Sequence, residues 1–84
     1  MGKDRYNLFT FHSTHSALFM ERALKEKELA VKLIPVPRVI SSSCGLAART
    51  MVDDIDNVKA AIAAGEIEVD ETYVMTDNGD IRPV

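Results

Sequence analysis

The sequence contains very little cysteine, and this scarcity limits the chemistry available to the chain. One cysteine among 84 residues excludes an internal disulfide framework, and the lack of a Cys-x-x-Cys pair argues against copper-chaperone chemistry. His12, His15 and Cys44 would supply three metal ligands where a structural zinc site takes four, so no metal site is predicted. A single thiol fits a reducing compartment, and we predict a cytoplasmic protein.

Several other features are also missing. No apolar run is long enough to cross a membrane, no signal-peptide pattern opens the chain, and no glycine-rich nucleotide loop is present. The net charge of −3 argues against general nucleic-acid binding. We therefore predict no cofactor, no nucleic-acid partner and no membrane partner. The short chain can bury only a modest core, so it could gain stability by forming a homodimer.

The hydrophobic pattern predicts six elements. They are strands at 6–11, 29–37, 46–52 and 67–75, and helices at 16–28 and 53–65. Ser13 or Thr14 is the expected N-cap of the first helix, Asp53 is the expected cap of the second, and Gly65 is its expected stop. The order β-α-β-β-α-β is typical of a ferredoxin-like two-layer α+β sandwich.

Right-handed crossovers in such a sandwich give an antiparallel sheet of order 4-1-3-2. Strand 2 then lies at an edge, which suits Pro35 and Pro37 because proline cannot donate a ladder hydrogen bond. We predict a single domain over residues 1–76. Residues 77–84 form a tail or a short hairpin extension, for which Asn78-Gly79 is a type I′ turn signal.

The sequence SSSCG places the only cysteine between a serine run and a glycine. Strands 1 and 2 are parallel in the predicted fold, so the turn HSTH and the loop RVISSSCG end at the same rim of the sheet. Cys44 and Gly45 should then lie beside Phe11 and His12, close to the N-terminus of the first helix.

This rim could activate a thiol. A helix N-terminus or a neighbouring histidine lowers the pKa of a cysteine toward the thiolate, so Cys44 is the candidate nucleophile, with His12 and His15 as tuning or proton-shuttling groups. The candidate anion-binding residues are Arg38, Ser41, Ser42, Ser43 and Gly45. Three alternatives stay open: a small buried cysteine, a serine-rich hairpin loop without chemistry, and histidines that only cap a helix or face solvent.

The first helix also predicts an exposed apolar pair. Ala17, Met20 and Leu24 share the core face, and at about 100° per residue Leu18 and Phe19 point away from it. The pair lies near His15, so we predict a partner-docking surface there, with scattered surface apolar residues as the alternative.

Two stretches, TFHSTHSAL (10–18) and IPVPRVISSSCGLA (34–47), resemble a family of small bacterial and archaeal proteins of unknown function described as selenium/sulfur carrier-like. The resemblance covers roughly residues 6–75. The family's Cys-Gly pair falls on Cys44 and Gly45, its Phe-His-Ser-Thr-His stretch on Phe11 to His15, and its Pro-Arg on Pro37 and Arg38. It implies a cytoplasmic carrier that holds sulfur or selenium as a persulfide or selenopersulfide on cysteine.

Two functions follow as hypotheses. In the first, Cys44 accepts sulfur or selenium from a donor protein and passes it to an acceptor protein, which makes the chain a cosubstrate more than an enzyme. In the second, the domain senses a small metabolite or anion without thiol chemistry, since ferredoxin-like domains often bind metabolites at such rims.

Overall fold

The computed structural model describes residues 5–37, 40, 45–76 and 80–83. The strands are β1 (Arg5–Thr10), β2 (Val31–Pro35), β3 (Leu46–Met51), β4 (Thr72–Thr76) and β5 (Ile81–Pro83), and the helices are α1 (Thr14–Glu26) and α2 (Ile55–Gly65). Every described strand pair is antiparallel, and the two helices pack against one face of the sheet. The chain is therefore an α+β domain.

The sheet has the order β2-β3-β1-β4-β5. The predicted order 4-1-3-2 covers only four of these strands, so the ferredoxin-like prediction does not describe the whole sheet. The added strand is β5, in which Ile81 pairs with Met75 of β4 and packs against the helix-free face. The predicted Asn78-Gly79 turn lies outside the described residues. β2 is an edge strand, as Pro35 required, and β5 at the other edge also carries a proline, Pro83.

The main core lies between the sheet and the helices. Phe9 and Ala48 face the helices from β1 and β3, where they stand opposite each other in the register. The helices contribute fully or almost fully buried residues, namely Ala17, Met20, Leu24, Val58 and Ala61. The spacing of the first three confirms the predicted core face of α1, because positions three and four residues apart lie on one side of a helix.

A second, smaller cluster covers the helix-free face. It contains Leu8, Ala47 and Ile40, with the partly buried Tyr73 and Ile81 packed against it. Ile40 comes from the connection between β2 and β3, and it is 8% exposed. This connection therefore contacts the face of the sheet opposite the helices.

The start of α1 follows from local capping. Ser13 is the N-cap, and its hydroxyl accepts a hydrogen bond from Ser16 N at 3.3 Å. Ser13 has extended backbone angles, and its carbonyl accepts from Ala17 N. The predicted Ser13 cap is confirmed, although the helix begins at Thr14, two residues before the predicted start.

α2 starts and stops away from its predicted positions. Asp53 was the expected cap, but it lies within a short 3-10 turn, Val52–Asp54. Asp54 takes the capping position without a side-chain cap hydrogen bond. Gly65 is the last helical residue, and the left-handed turn falls on Glu66. The acidic residues after β3 suit the first turn of a helix equally well, so local chemistry alone does not select one of them as the cap.

Each helix is followed by a glutamate in the left-handed conformation, with φ of 60° at Glu28 and 51° at Glu66. After α1, Leu29 N donates to Leu24 O at 2.9 Å. This is the hydrogen bond of a Schellman motif that spans the larger number of residues. Glycine usually occupies this left-handed position, because an L side chain there costs roughly 1–2 kcal/mol. The chain therefore stores strain at both helix ends.

We expect Glu28→Gly to raise the free energy of unfolding by about 0.5–1 kcal/mol, because glycine adopts the left-handed angles without a steric penalty. Glu26→Gly, two residues earlier and still inside α1, should lower it by about 1 kcal/mol. Urea denaturation of both variants measures the difference. Equal losses in the two would show that Glu28 is not strained.

The structure places the start of β4 five residues later than predicted. Ile67 is buried in the main core, and its amide closes the Schellman motif of α2 by donating to Ile62 O at 3.0 Å. The apolar alternation of Ile67 and Val69 therefore reflects packing of an extended connection. The ladder with β1 begins only at Thr72, which stands opposite Phe9.

Candidate functional site

Two of the predicted site residues, His12 and Gly45, lie at one end of the sheet. We call this end the loop rim and define it by four residues: Val36, Gly45, His12 and Asp70. Val36 N donates to Gly45 O at 3.0 Å, which joins the end of β2 to the start of β3. Continuing the β1–β3 register by two residues sets His12 level with Gly45. The predicted neighbourhood of His12 and Gly45 is thus a consequence of strand pairing.

Gly45 has a positive φ of 75°. A Cβ built at this position meets no heavy atom within 4 Å among the described residues. Glycine is therefore favoured at this position by its backbone conformation, since other residues rarely adopt such angles.

Most of the predicted thiol loop lies outside the described residues. This applies to Cys44, Arg38, Ser41, Ser42 and Ser43, whose proposed roles stay predictions. Two described residues, Ile40 and Gly45, flank residues 41–44. Ile40 N donates to Pro37 O at 2.9 Å, and the Ile40 side chain contacts the helix-free cluster. Ile40 thus lies against the face opposite α1, whereas Gly45 lies at the rim.

His12 has a carboxylate partner that the sequence did not reveal. Its Nε2 lies 3.2 Å from Asp70 Oδ1, and the side chains are 69% and 26% exposed. A carboxylate on one ring nitrogen orients an imidazole and selects which nitrogen faces a reacting group. The contact with Asp70 therefore favours one orientation of an otherwise exposed imidazole at the loop rim.

Backbone pairing fixes Asp70 at this place. Asp70 N donates to Thr10 O at 2.8 Å, while Thr10 N donates to Glu71 O at 2.9 Å. Glu71 N also donates to Thr10 Oγ1 at 3.1 Å. Two residues of the β4 side thus oppose one residue of β1, as in a β-bulge, an irregularity that re-aims side chains at strand ends. No local pattern in the sequence signals this contact.

The neighbours of His15 differ from those of His12. It belongs to a groove on α1 of about 270 Å³ that we call the docking face: His15, Leu18, Phe19 and Arg22. Leu18 and Phe19 are 51% and 43% exposed. The rings of His15 and Phe19 are 6.5 Å apart and tilted by 44°. The two histidines that the sequence grouped therefore have different neighbours, an aromatic ring for His15 and a carboxylate for His12.

Neither a metal site nor a membrane-spanning helix has a candidate in the part of the chain that the structure describes. Within residues 5–37, 40, 45–76 and 80–83, no three His, Cys, Asp or Glu side chains form a group that could hold a metal ion. Among the same residues, neither helix has the length and hydrophobicity needed to cross a membrane.

Comparisons with known proteins give one match. No curated protein and no solved structure matches the chain. A family model does match, over residues 6–74, and this range contains the loop rim and the docking face. Because the match spans most of the 84 residues, the chain belongs to the family described as "Putative Se/S carrier protein-like".

Proposed function

We propose that the chain is a thiol-dependent carrier in which Cys44 holds sulfur or selenium as a persulfide or selenopersulfide. Membership of a family named for selenium and sulfur carriers supports this proposal. The observation that carries it is the His12–Asp70 pair, 3.2 Å apart, at the rim where the only cysteine precedes Gly45.

The chemical step is an exchange without net redox change. The Cys44 thiolate attacks the outer sulfur of a donor persulfide, a new sulfur–sulfur bond forms, and the donor's own sulfur–sulfur bond breaks. The donor cysteine leaves as a thiolate. His12 accepts the proton of the Cys44 thiol before attack, and the carboxylate of Asp70 stabilises the resulting imidazolium. Asp70 is a positioning residue, because it acts through His12.

Intact mass measurement tests the carrier proposal. We expect the purified protein, incubated with a cysteine desulfurase and cysteine, to gain the mass of one sulfur atom, and Cys44→Ser to gain none. A selenium donor supplied in parallel decides which element is loaded. If neither donor adds mass to the unmodified protein, the carrier function is wrong.

The docking face supports contact with donor and acceptor proteins. An exposed Leu-Phe pair is the type of anchor that protein interfaces bury, and Arg22 beside it favours a partner with an acidic rim. Phe19 also has internal support, because its ring edge lies near Gly65 and Ile67 at the end of α2. The ring is therefore partly covered by its own chain and keeps 43% of its surface available to a partner.

We expect Leu18→Ser combined with Phe19→Ser to raise the KM for a partner protein by roughly tenfold to a hundredfold, because the variant loses two apolar anchors. Sulfur transfer at varied partner concentration measures this. Lys59→Ser, an exposed change on α2, is the control and should leave KM unchanged. An unchanged KM in the double variant would remove the docking role from this face.

A further inference from the structure

A polar groove lies at the opposite end of the sheet from the loop rim. It occupies about 340 Å³ and is lined by Arg5, Val74, Thr76, Asp80 and Arg82. α1 packs over β2 and β3, and α2 packs over β3, so β4 and β5 are left more open on that side. We call this the arginine groove.

Strand register explains how these side chains meet. Arg5 of β1 stands opposite Thr76 of β4, and Val74 of β4 stands opposite Arg82 of β5. Paired and alternate residues share one face of a sheet, so all four lie on the helix side. The two arginines occupy diagonal corners, with Thr76 and Val74 between them. Thr76 N donates to Asp80 O at 3.0 Å, which places Asp80 beside Thr76 at a third corner.

Three side chains of this groove have no side-chain partner among the described residues. Neither Arg5 nor Arg82 forms an ion pair with any residue that the structure describes. Thr76 Oγ1 is buried, and it has no hydrogen-bond partner in the same part of the chain. A buried hydroxyl without a partner costs free energy, roughly 1–3 kcal/mol, unless a ligand or a water satisfies it. The lining thus holds two guanidinium groups and a hydroxyl as donors, with the Asp80 carboxylate as an acceptor beside them.

We propose that the arginine groove binds a small tetrahedral oxyanion of the phosphate class. Guanidinium groups donate two parallel hydrogen bonds to such anions, and Arg5 and Arg82 approach from opposite corners. The Thr76 hydroxyl is buried in this structure, so it donates a third bond only when its side chain rotates toward the anion. Asp80 opposes binding by charge repulsion, which leaves the lining with a net charge of +1. This binding is separate from sulfur transfer, because Arg5 begins β1 whereas His12 follows its end, roughly 20 Å away along the strand.

Titration with inorganic phosphate at low ionic strength, followed by NMR of backbone amides, tests the proposal. We expect saturable shifts at Val74, Thr76 and Arg82. Arg5→Gln and Arg82→Gln should each weaken binding about tenfold through the loss of a charge-assisted contact. Asp80→Asn should strengthen it several-fold because a repulsive charge is removed. All three replaced side chains are exposed, so the fold should survive each change.

Controls and competing anions complete the test. Arg22→Gln removes an exposed arginine from α1, and Cys44→Ser removes the thiol; both should leave phosphate binding unchanged. Glycerol 3-phosphate that binds more tightly than inorganic phosphate would assign the site to a phosphorylated metabolite, and equal affinity would assign it to the free ion. Three results would overturn the proposal. They are amide shifts that do not saturate with phosphate, acetate that binds as tightly as phosphate, or a phosphate affinity that is unchanged in both arginine variants.

Discussion

Phe9→Ala is expected to lower the free energy of unfolding by about 3–5 kcal/mol. Phe9 is 2% exposed and fills the space between the centre of the sheet and the helices, so alanine leaves a cavity there. Domains of this size are stabilised by roughly 0.05–0.15 kcal/mol per residue, so the loss is a large part of the total. Urea denaturation measures it.

The matched control for this prediction is Phe19→Ala. It makes the same chemical change at a side chain that is 43% exposed, so we expect a loss below about 1 kcal/mol. Losses of similar size in the two variants would mean that the central strand does not carry the core. A small loss in both would argue against the packing of α1 and α2 on this face of the sheet.

The second large effect is expected at His12. If His12 removes the thiol proton, His12→Gln should lower the rate of sulfur loading by roughly tenfold at neutral pH, because a free thiol is already a few per cent thiolate there and reacts without a base. Asp70→Asn should lower it by a smaller factor, because the imidazole remains but loses its orienting carboxylate. Loading rates measured across pH separate this role from a merely structural one, which would not change the shape of the profile.

His15→Gln is the control for His12, since both histidines are exposed and only three residues apart, yet His15 contacts Phe19 instead of a carboxylate. It should retain the loading rate and the pH profile of the unmodified protein. Should His12→Gln load sulfur as fast as His15→Gln, proton transfer by His12 would be refuted while the role of Cys44 would stand.

The sequence predicted those parts of the fold that depend on local chemistry. Ser13 and the spacing of Ala17, Met20 and Leu24 identified α1, and Pro35 identified an edge strand. The sequence left residues 77–84 as either a tail or a short hairpin, because the three residues of β5 gain their pairing with β4 and their packing only from the completed sheet. The start of β4 was misplaced because the apolar residue Ile67 serves the core without joining a ladder.

The candidate site likewise contains contacts that strand order predicts and contacts that it does not. His12 and Gly45 were brought together by reasoning from strand order, since topology alone sets them at one rim. Asp70 was missed because its contact with His12 depends on the irregular pairing with Thr10, which no short motif records. The arginine groove was also missed, because Arg5 and Arg82 lie near opposite ends of the chain and meet only across three strands.

The prolines at the two sheet edges limit how copies of this chain can associate. β2 ends at Pro35 and β5 contains Pro83, and a strand with proline lacks an amide needed to extend a hydrogen-bonded ladder. Joining of edges between molecules, the route to continuous intermolecular sheets and to aggregation, is therefore disfavoured at both ends. A homodimer of the kind that the sequence predicted would instead pack through helices or through the helix-free face, and its strands would remain separate from those of the second copy.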